Sequence, residues 1–156
     1  MKKFDPILPK PIRAFLFYLI QWTWAFPQNF IGALLLPILP GKHVRYHCAV
    51  ITVYKRSKLM GNNTSGFSLG MFIYIPENWS DHDKEHLSVH EFGHTVQSLF
   101  FGPLYLFAVG IPSVIWCKRY FKHYWEYQDR GIQYTDRFPE NSADKLGEWV
   151  TGISPH

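Results

Sequence analysis

Three residues in the middle of the chain carry spacing that chemistry can use. His90 and His94 are four apart, so on a helix both imidazoles leave the same face one turn apart and can reach a single metal ion. Glu91 is offset by about 100° and falls beside that ion, where a carboxylate can take a proton from a water. This His-Glu-x-x-His pattern is the signature of zinc-dependent hydrolysis. Zinc lowers the pKa of a coordinated water from 15.7 to about 7, and a general base adds roughly 10²- to 10⁴-fold in rate. Two histidines hold the ion weakly, and a catalytic site needs a third protein ligand.

The surrounding stretch predicts a helix. Ser80 is a good N-cap with Asp83 three residues on, Asp81, Asp83 and Glu85 suit the positive end of the helix dipole, and Gly102-Pro103 stops the run, which gives a helix over 80–101. Upstream, Val44, Tyr46, Cys48, Val50, Thr52 and Tyr54 alternate with their neighbours as a strand does. "GNNTSG" reads as a turn and "FSLGMFIYIP" as a second strand, so 43–76 is expected to be an antiparallel pair beside the helix. Downstream, 103–122 reads as an apolar helix kinked at Pro112, and 136–150 as a short helix capped by Asp136 with Pro139 in its first turn.

At 156 residues the chain is expected to be a single domain spanning 1–156. Its 47% hydrophobic and 18% aromatic content is concentrated, since the mean hydropathy is only -0.13. Ala14 to Gly41 holds no charged residue, and Phe92 to Cys117 holds none if His94 is neutral. The N-terminal segment 11–40 is either one kinked helix long enough to cross a bilayer or, broken at Pro27, two halves lying in the interface with Tyr18, Trp22 and Trp24 at headgroup depth. Burial of both apolar runs in a water-soluble core is the competing reading. Lys2, Lys3, Lys10 and Arg13 precede the first run, which fits the cytoplasmic membrane with a cytoplasmic N-terminus.

The basic residues form no long stripe, and the aromatics lie among Leu and Ile, so nucleic acid is not the expected partner. Cys48 and Cys117 are too few for a disulfide framework and read as buried thiols. Asn62, Asn63 and Asn78 begin sequons that nothing else ties to secretion. His86 extends the line of His90 and His94, but its place in the first helical turn suits an exposed residue better. His156 sits at the chain end.

"VHEFGHTVQS" together with "PENSADKLG" resembles the gluzincin group of zinc metallopeptidases. "FPQNFIGALL", "GFSLGMFIYI", "HEFGHTVQSLFFGPLYLFAVGIPSVIW" and "DRFPENSADKLG" resemble, over most of the chain, small bacterial membrane-associated HExxH proteins. The resemblance brings no substrate with it. It implies an α+β fold, a compact zincin-like (minigluzincin-like) domain. It further implies Zn²⁺ held by His90, His94 and Glu140, with Glu91 as base and Asp144 supporting a histidine. The glycine and further histidine that follow HExxH in metzincins are replaced by Gln97 and Phe100. The distal Asp-Gly segment of site-2-type intramembrane proteases has no counterpart.

Among the downstream acids, Glu126 lies in an aromatic cluster and Asp136 is better employed as a cap, whereas Glu140 has Asp144 one turn on. One can then reach the metal while the other accepts a histidine N–H. An exposed pair of first-turn acids is the competing reading. The expected function is that of a membrane-associated zinc metallopeptidase acting on a peptide or protein laid along the strand from Ser68 to Tyr74. Tyr127 or Tyr134 is the candidate to stabilise the oxyanion, with aromatic packing as the competing use of both. The alternative function is a zinc-stabilised membrane adaptor without turnover.

Overall fold

The computed structural model describes residues 10–55 and 65–155. Lys2, Lys3, the sequons at Asn62 and Asn63, most of the expected 61–66 turn and His156 lie outside the described residues. The described chain is α+β, with six helices and one four-stranded sheet: α1 Lys10–Thr23, α2 Phe26–Leu35, β1 Gly41–Tyr46, β2 Ala49–Tyr54, β3 Phe67–Leu69, β4 Phe72–Pro76, α3 Asp81–Phe101, α4 Ile111–Lys122, α5 Tyr124–Asp129 and α6 Glu140–Thr151.

The sheet has the order β1-β2-β4-β3 and is mixed, not antiparallel as expected. Each expected strand is in fact a hairpin. The first reverses at His47-Cys48, where His47 takes a φ of 51° without glycine or asparagine to announce it. Its ring is held against Phe92, with centroids 5.2 Å apart. The second reverses at Gly70-Met71, where Gly70 has a φ of 63°. A side chain at Gly70 would collide with Asn29, whose Oδ1 accepts the Met71 N–H at 2.9 Å. Because β3 runs antiparallel to β4, the extra reversal turns β4 round to lie parallel to β2.

Strand β4 is buried along its whole length, which explains its uninterrupted apolar sequence. Ile73 and Ile75 pack with Ala49, Ile51, Phe92 and Val96 on the α3 side. Phe72 and Tyr74 pack on the other side with Tyr54, Met71 and Leu39, and are covered by Phe17 and Tyr18 of α1 and Ala33 and Leu35 of α2. The sheet is therefore the middle of three layers. Burial pushes the Tyr74 hydroxyl up to about 12, and it donates to the Gly32 carbonyl.

The apolar N-terminal run adopts the broken form. Helix α1 ends at Thr23, and α2 begins at Phe26 with Pro27 in its first turn. At 1.5 Å per residue these helices are about 21 and 15 Å long, short of a hydrocarbon core of about 30 Å. Among the described residues no helix is long and apolar enough to cross a membrane. A knot of buried amides fixes α1 and α2 to α3. Gln21 Nε2 donates to Ser98 Oγ at 3.1 Å, Asn29 Nδ2 donates to the Gln21 carbonyl at 2.8 Å, and Gln28 Nε2 donates to the Gly102 carbonyl at 3.0 Å.

Helix α3 starts as the sequence indicates, with Ser80 Oγ accepting the Asp83 N–H at 3.1 Å. It ends at Gly102, which leads into a 3₁₀ turn, Gly102–Leu104. The expected single helix over 103–122 is interrupted by a π turn, Leu106–Gly110, before α4. Pro112 lacks an N–H and its ring crowds the carbonyl four residues back, and widening the preceding turn relieves that clash. The helix expected from 136 begins at Glu140 instead. Asp136 caps the preceding 3₁₀ turn, accepting the Gln133 N–H at 2.7 Å, while Pro139 occupies the N-cap of α6 without a side-chain cap. Cys48 and Cys117 are free and partly buried, short of the full burial expected.

Candidate metal centre

Helices α3 and α6 cross at unusually short range because two glycines remove their side chains from the contact. A Cβ at Gly93 would lie 1.9 Å from the Ala143 carbonyl oxygen, and one at Gly147 would lie 2.2 Å from that of Val89. This approach brings Glu140 and Asp144, one turn apart on α6, to the histidine face of α3. Glu140 Oε2 lies 3.0 Å from His90 Nε2 and 3.2 Å from His94 Nε2. The donor atoms of His90, His94 and Glu140 all fall within 4.8 Å of one another. Glu140 is fully buried, and His90, His94 and Asp144 are nearly so.

The far nitrogens of both imidazoles are occupied by acceptors. His90 Nδ1 meets Asp144 Oδ1 at 2.5 Å, and His94 Nδ1 meets Gln97 Oε1 at 2.7 Å. The Gln97 amide is oriented by its own donors, because Nε2 faces the Pro139 carbonyl at 3.0 Å and Ser142 Oγ at 2.7 Å. Each Nδ1 therefore carries a hydrogen, and an Nε2 without one turns its lone pair towards the Glu140 carboxylate. Three sets of lone pairs facing one another at 3.0 to 3.2 Å repel unless a proton or a cation lies among them. Ligands about 2.0–2.1 Å from a tetrahedral zinc stand about 3.3 Å apart, close to these separations. Among the described residues Glu140 Oε1 is buried without a hydrogen-bond partner, which also suits an oxygen kept for a cation. The residues present thus fit a divalent ion held by two imidazoles and one carboxylate.

Without a cation, protons take its place. Burial alone would lower the His90 pKa, but the Asp144 and Glu140 carboxylates outweigh it and push it up to about 10. Burial likewise disfavours the Glu140 anion, yet hydrogen bonds and charge from His90 and His94 hold its carboxyl well below the usual range. Glu91 behaves differently. It is buried, and desolvation together with the Glu140 charge raises its pKa against the pull of the two histidines. Among the described residues its Oε2 has no hydrogen-bond partner, while Oε1 lies against Gly66. Its carboxyl stands beside the cluster and is not a member of it.

Of the other residues singled out in the sequence, Tyr127 stacks on Tyr120 and packs against Trp116, away from the cluster. Tyr134 borders the same aromatic group, but burial and the charge of Glu140 raise the pKa of its hydroxyl, so it stays a protonated donor near the carboxylate. Glu126 is exposed and pairs with His123 at 3.2 Å. His86 is half-buried and faces His82, with Nε2 atoms 3.2 Å apart. The expected peptide track from Ser68 to Tyr74 is divided, since Ser68 is on β3 at the sheet edge while Tyr74 is on interior β4.

Gln97 and Tyr105 were missed as site residues. Gln97 follows His94 by three, the spacing at which a helical side chain can reach back to an imidazole, so its role was open to being read. Tyr105 has no such signal, because it reaches the site only through the turns after α3. It is buried, with its pKa raised by desolvation and by the Glu91 charge. The Ser68 hydroxyl, also buried, lies near both Glu91 and Tyr105. No protein-family model, curated protein or solved structure matches this chain.

Proposed function

We propose that the protein is a zinc metallopeptidase of gluzincin type, with a compact zincin-like core formed by the sheet, α3 and α6. The observation that carries this reading is the convergence of His90, His94 and Glu140 beside a buried carboxylate, Glu91, that takes no part in the cluster. Two imidazoles and one carboxylate form a ligand set of catalytic zinc sites, which keep a further position open. The bound ion supplies Lewis acidity, polarising a carbonyl and bringing the pKa of water to about 7.

The chain's own residues supply the rest. Asp144 and Gln97 fix the tautomer and orientation of His90 and His94. Glu91 takes the proton of the attacking water on Oε2 and passes it to the departing amine as the C–N bond breaks, a task suited to a carboxyl whose pKa burial raises. Tyr134 and Tyr105, both kept protonated, are the hydroxyls positioned to donate to the developing oxyanion. Edge strand β3 lies beside Glu91, where an extended polypeptide can add as a further strand.

A zinc-stabilised adaptor has no use for Glu91, which is the basis of the test. In Glu91→Gln the metal content should stay at one equivalent while cleavage of a fluorogenic peptide library falls by about 10²- to 10⁴-fold. Undiminished cleavage would end the peptidase reading, and loss of the metal would make Glu91 a ligand.

A further inference from the structure

The outer faces of the helices are apolar where a water-facing helix is polar. On α1, Ile12, Phe15, Leu16, Leu19 and Ile20 recur at spacings of three and four, and all are exposed, whereas Gln21 is buried. The outer face of α1 is thus apolar as well as the inner one, where Phe17 and Tyr18 cover the sheet. Phe30, Ile31 and Leu34 continue the exposed surface on α2, and Leu104, Phe107 and Ile115 do so beyond α3, with Phe107 70% exposed. The two parts are joined. Trp24 lies on Gly102, where a Cβ would come within 2.1 Å of the indole, and Gln28 bonds the same residue's carbonyl. A continuous apolar surface of this kind marks a partner.

Charge identifies the partner. No Asp or Glu occurs in 6–76 or 92–125, although ten of the sixteen basic residues do. Lys10, Lys118, Arg119 and Lys122 are exposed at the ends of the apolar helices. We infer that this surface docks on an anionic lipid bilayer, with α1, α2 and the segment from Gly102 through α4 lying in the plane of one leaflet. The helices are too short to cross, and Trp22 and Trp24, both exposed, bring amphipathic rings to headgroup depth. A second copy of the chain fits less well, because a symmetric contact would oppose basic ends with no acid in either stretch to pair them.

Docking sets what the metal cluster can reach. His94 and Phe100, which is exposed in the apolar surface, are six residues apart on α3, about 9 Å along the axis. If the site cleaves peptides as proposed above, its substrates are polypeptide segments at the leaflet surface.

Flotation of the full chain with vesicles of phosphatidylethanolamine and phosphatidylglycerol, against phosphatidylcholine alone, tests the docking without any turnover measurement. The protein should partition at least tenfold more strongly onto the anionic vesicles, and 0.5 M salt should weaken it. Phe15→Glu/Leu19→Glu and Leu104→Glu/Phe107→Glu should each reduce binding at least tenfold while retaining one equivalent of zinc. Should either fail to fold, Lys118→Gln/Arg119→Gln leaves the apolar surface intact and should reduce anionic binding at least tenfold, from about fivefold per charge. Absence of vesicle binding by a monodisperse wild type overturns the inference, as do unchanged binding by the Lys118→Gln/Arg119→Gln variant and a stable dimer that protects Trp24 from an aqueous quencher. None of these results alters the Glu91→Gln test.

Discussion

Gly93→Ala isolates the role of close helix crossing in assembling the site. By helix propensity alone the change favours α3 by about 1 kcal/mol. The structure dictates the opposite outcome, because the new Cβ would sit 1.9 Å from the Ala143 carbonyl oxygen, where ordinary contact begins at 3.4 Å. Backbone cannot swing aside as a long side chain can, so α6 must retreat by about 1.5 Å, and overpacking of this kind costs about 1–3 kcal/mol or more. Glu140 lies three residues before Ala143 on the same rigid helix and retreats with it. Metal sites tolerate about 0.2 Å in ligand distance, so the third ligand would be lost. Zinc affinity, measured by competition with a chromophoric chelator, should fall by more than about 100-fold, beyond the range seen when only a supporting residue is changed. Circular dichroism should show the helices retained. Affinity within threefold of wild type would refute the claim that the glycine contact positions Glu140.

Glu140→Ala should abolish tight zinc binding and Asp144→Asn should weaken it about 10- to 100-fold, whereas Glu126→Ala should leave it unchanged; equilibrium dialysis decides the order. Zinc affinity should rise with pH between 6 and 8 by up to about tenfold per unit, since the metal displaces the proton held by His90 with a pKa of about 10, and calorimetric titration at three pH values would reveal a flat profile if it does not. In the metal-free protein the same pair shapes stability. The raised His90 pKa stabilises the fold fully below its unfolded value of 6.5 and ceases to do so as pH rises through about 10. The lowered Glu140 pKa stabilises it above 4.5, so the joint contribution should peak between these two unfolded values in urea titrations with chelator present.

The site was more legible in the sequence than the fold around it. His90, His94, Glu140 and Asp144 announce themselves because fourfold spacing on a helix translates directly into a shared face, and the structure brings all four together. The sheet was not legible in the same way. His47 enters a positive φ without glycine or asparagine, held by Phe92, a neighbour that no local pattern discloses. Gly70 did carry a signal, but the apolar run on either side read as one strand, because β4 is buried on both faces and shows no alternation. Tyr105 illustrates the same limit at the site, since its approach depends on the 3₁₀ turn Gly102–Leu104 that follows α3, whereas the Gly102-Pro103 pair announces only that the helix stops. The amphipathic reading of α1 also needed the structure, because apolar residues fill both its inner and its outer face.

The amide knot made by Gln21, Asn29 and Ser98 gives the N-terminal helices a particular standing. Were that joint made of leucines, α1 and α2 could slide or peel away at modest cost, as a detachable anchor does. Amides permit one alignment, and departure strands the Met71 N–H, a buried donor worth about 1–3 kcal/mol when unsatisfied, and uncovers Phe72 and Tyr74. Helices α1 and α2 are therefore keyed into the domain and not appended to it. Proteolytic trimming there would release no intact core, and tilting of α1 would be felt at Thr95, the neighbour of His94, through the Gln21 amide.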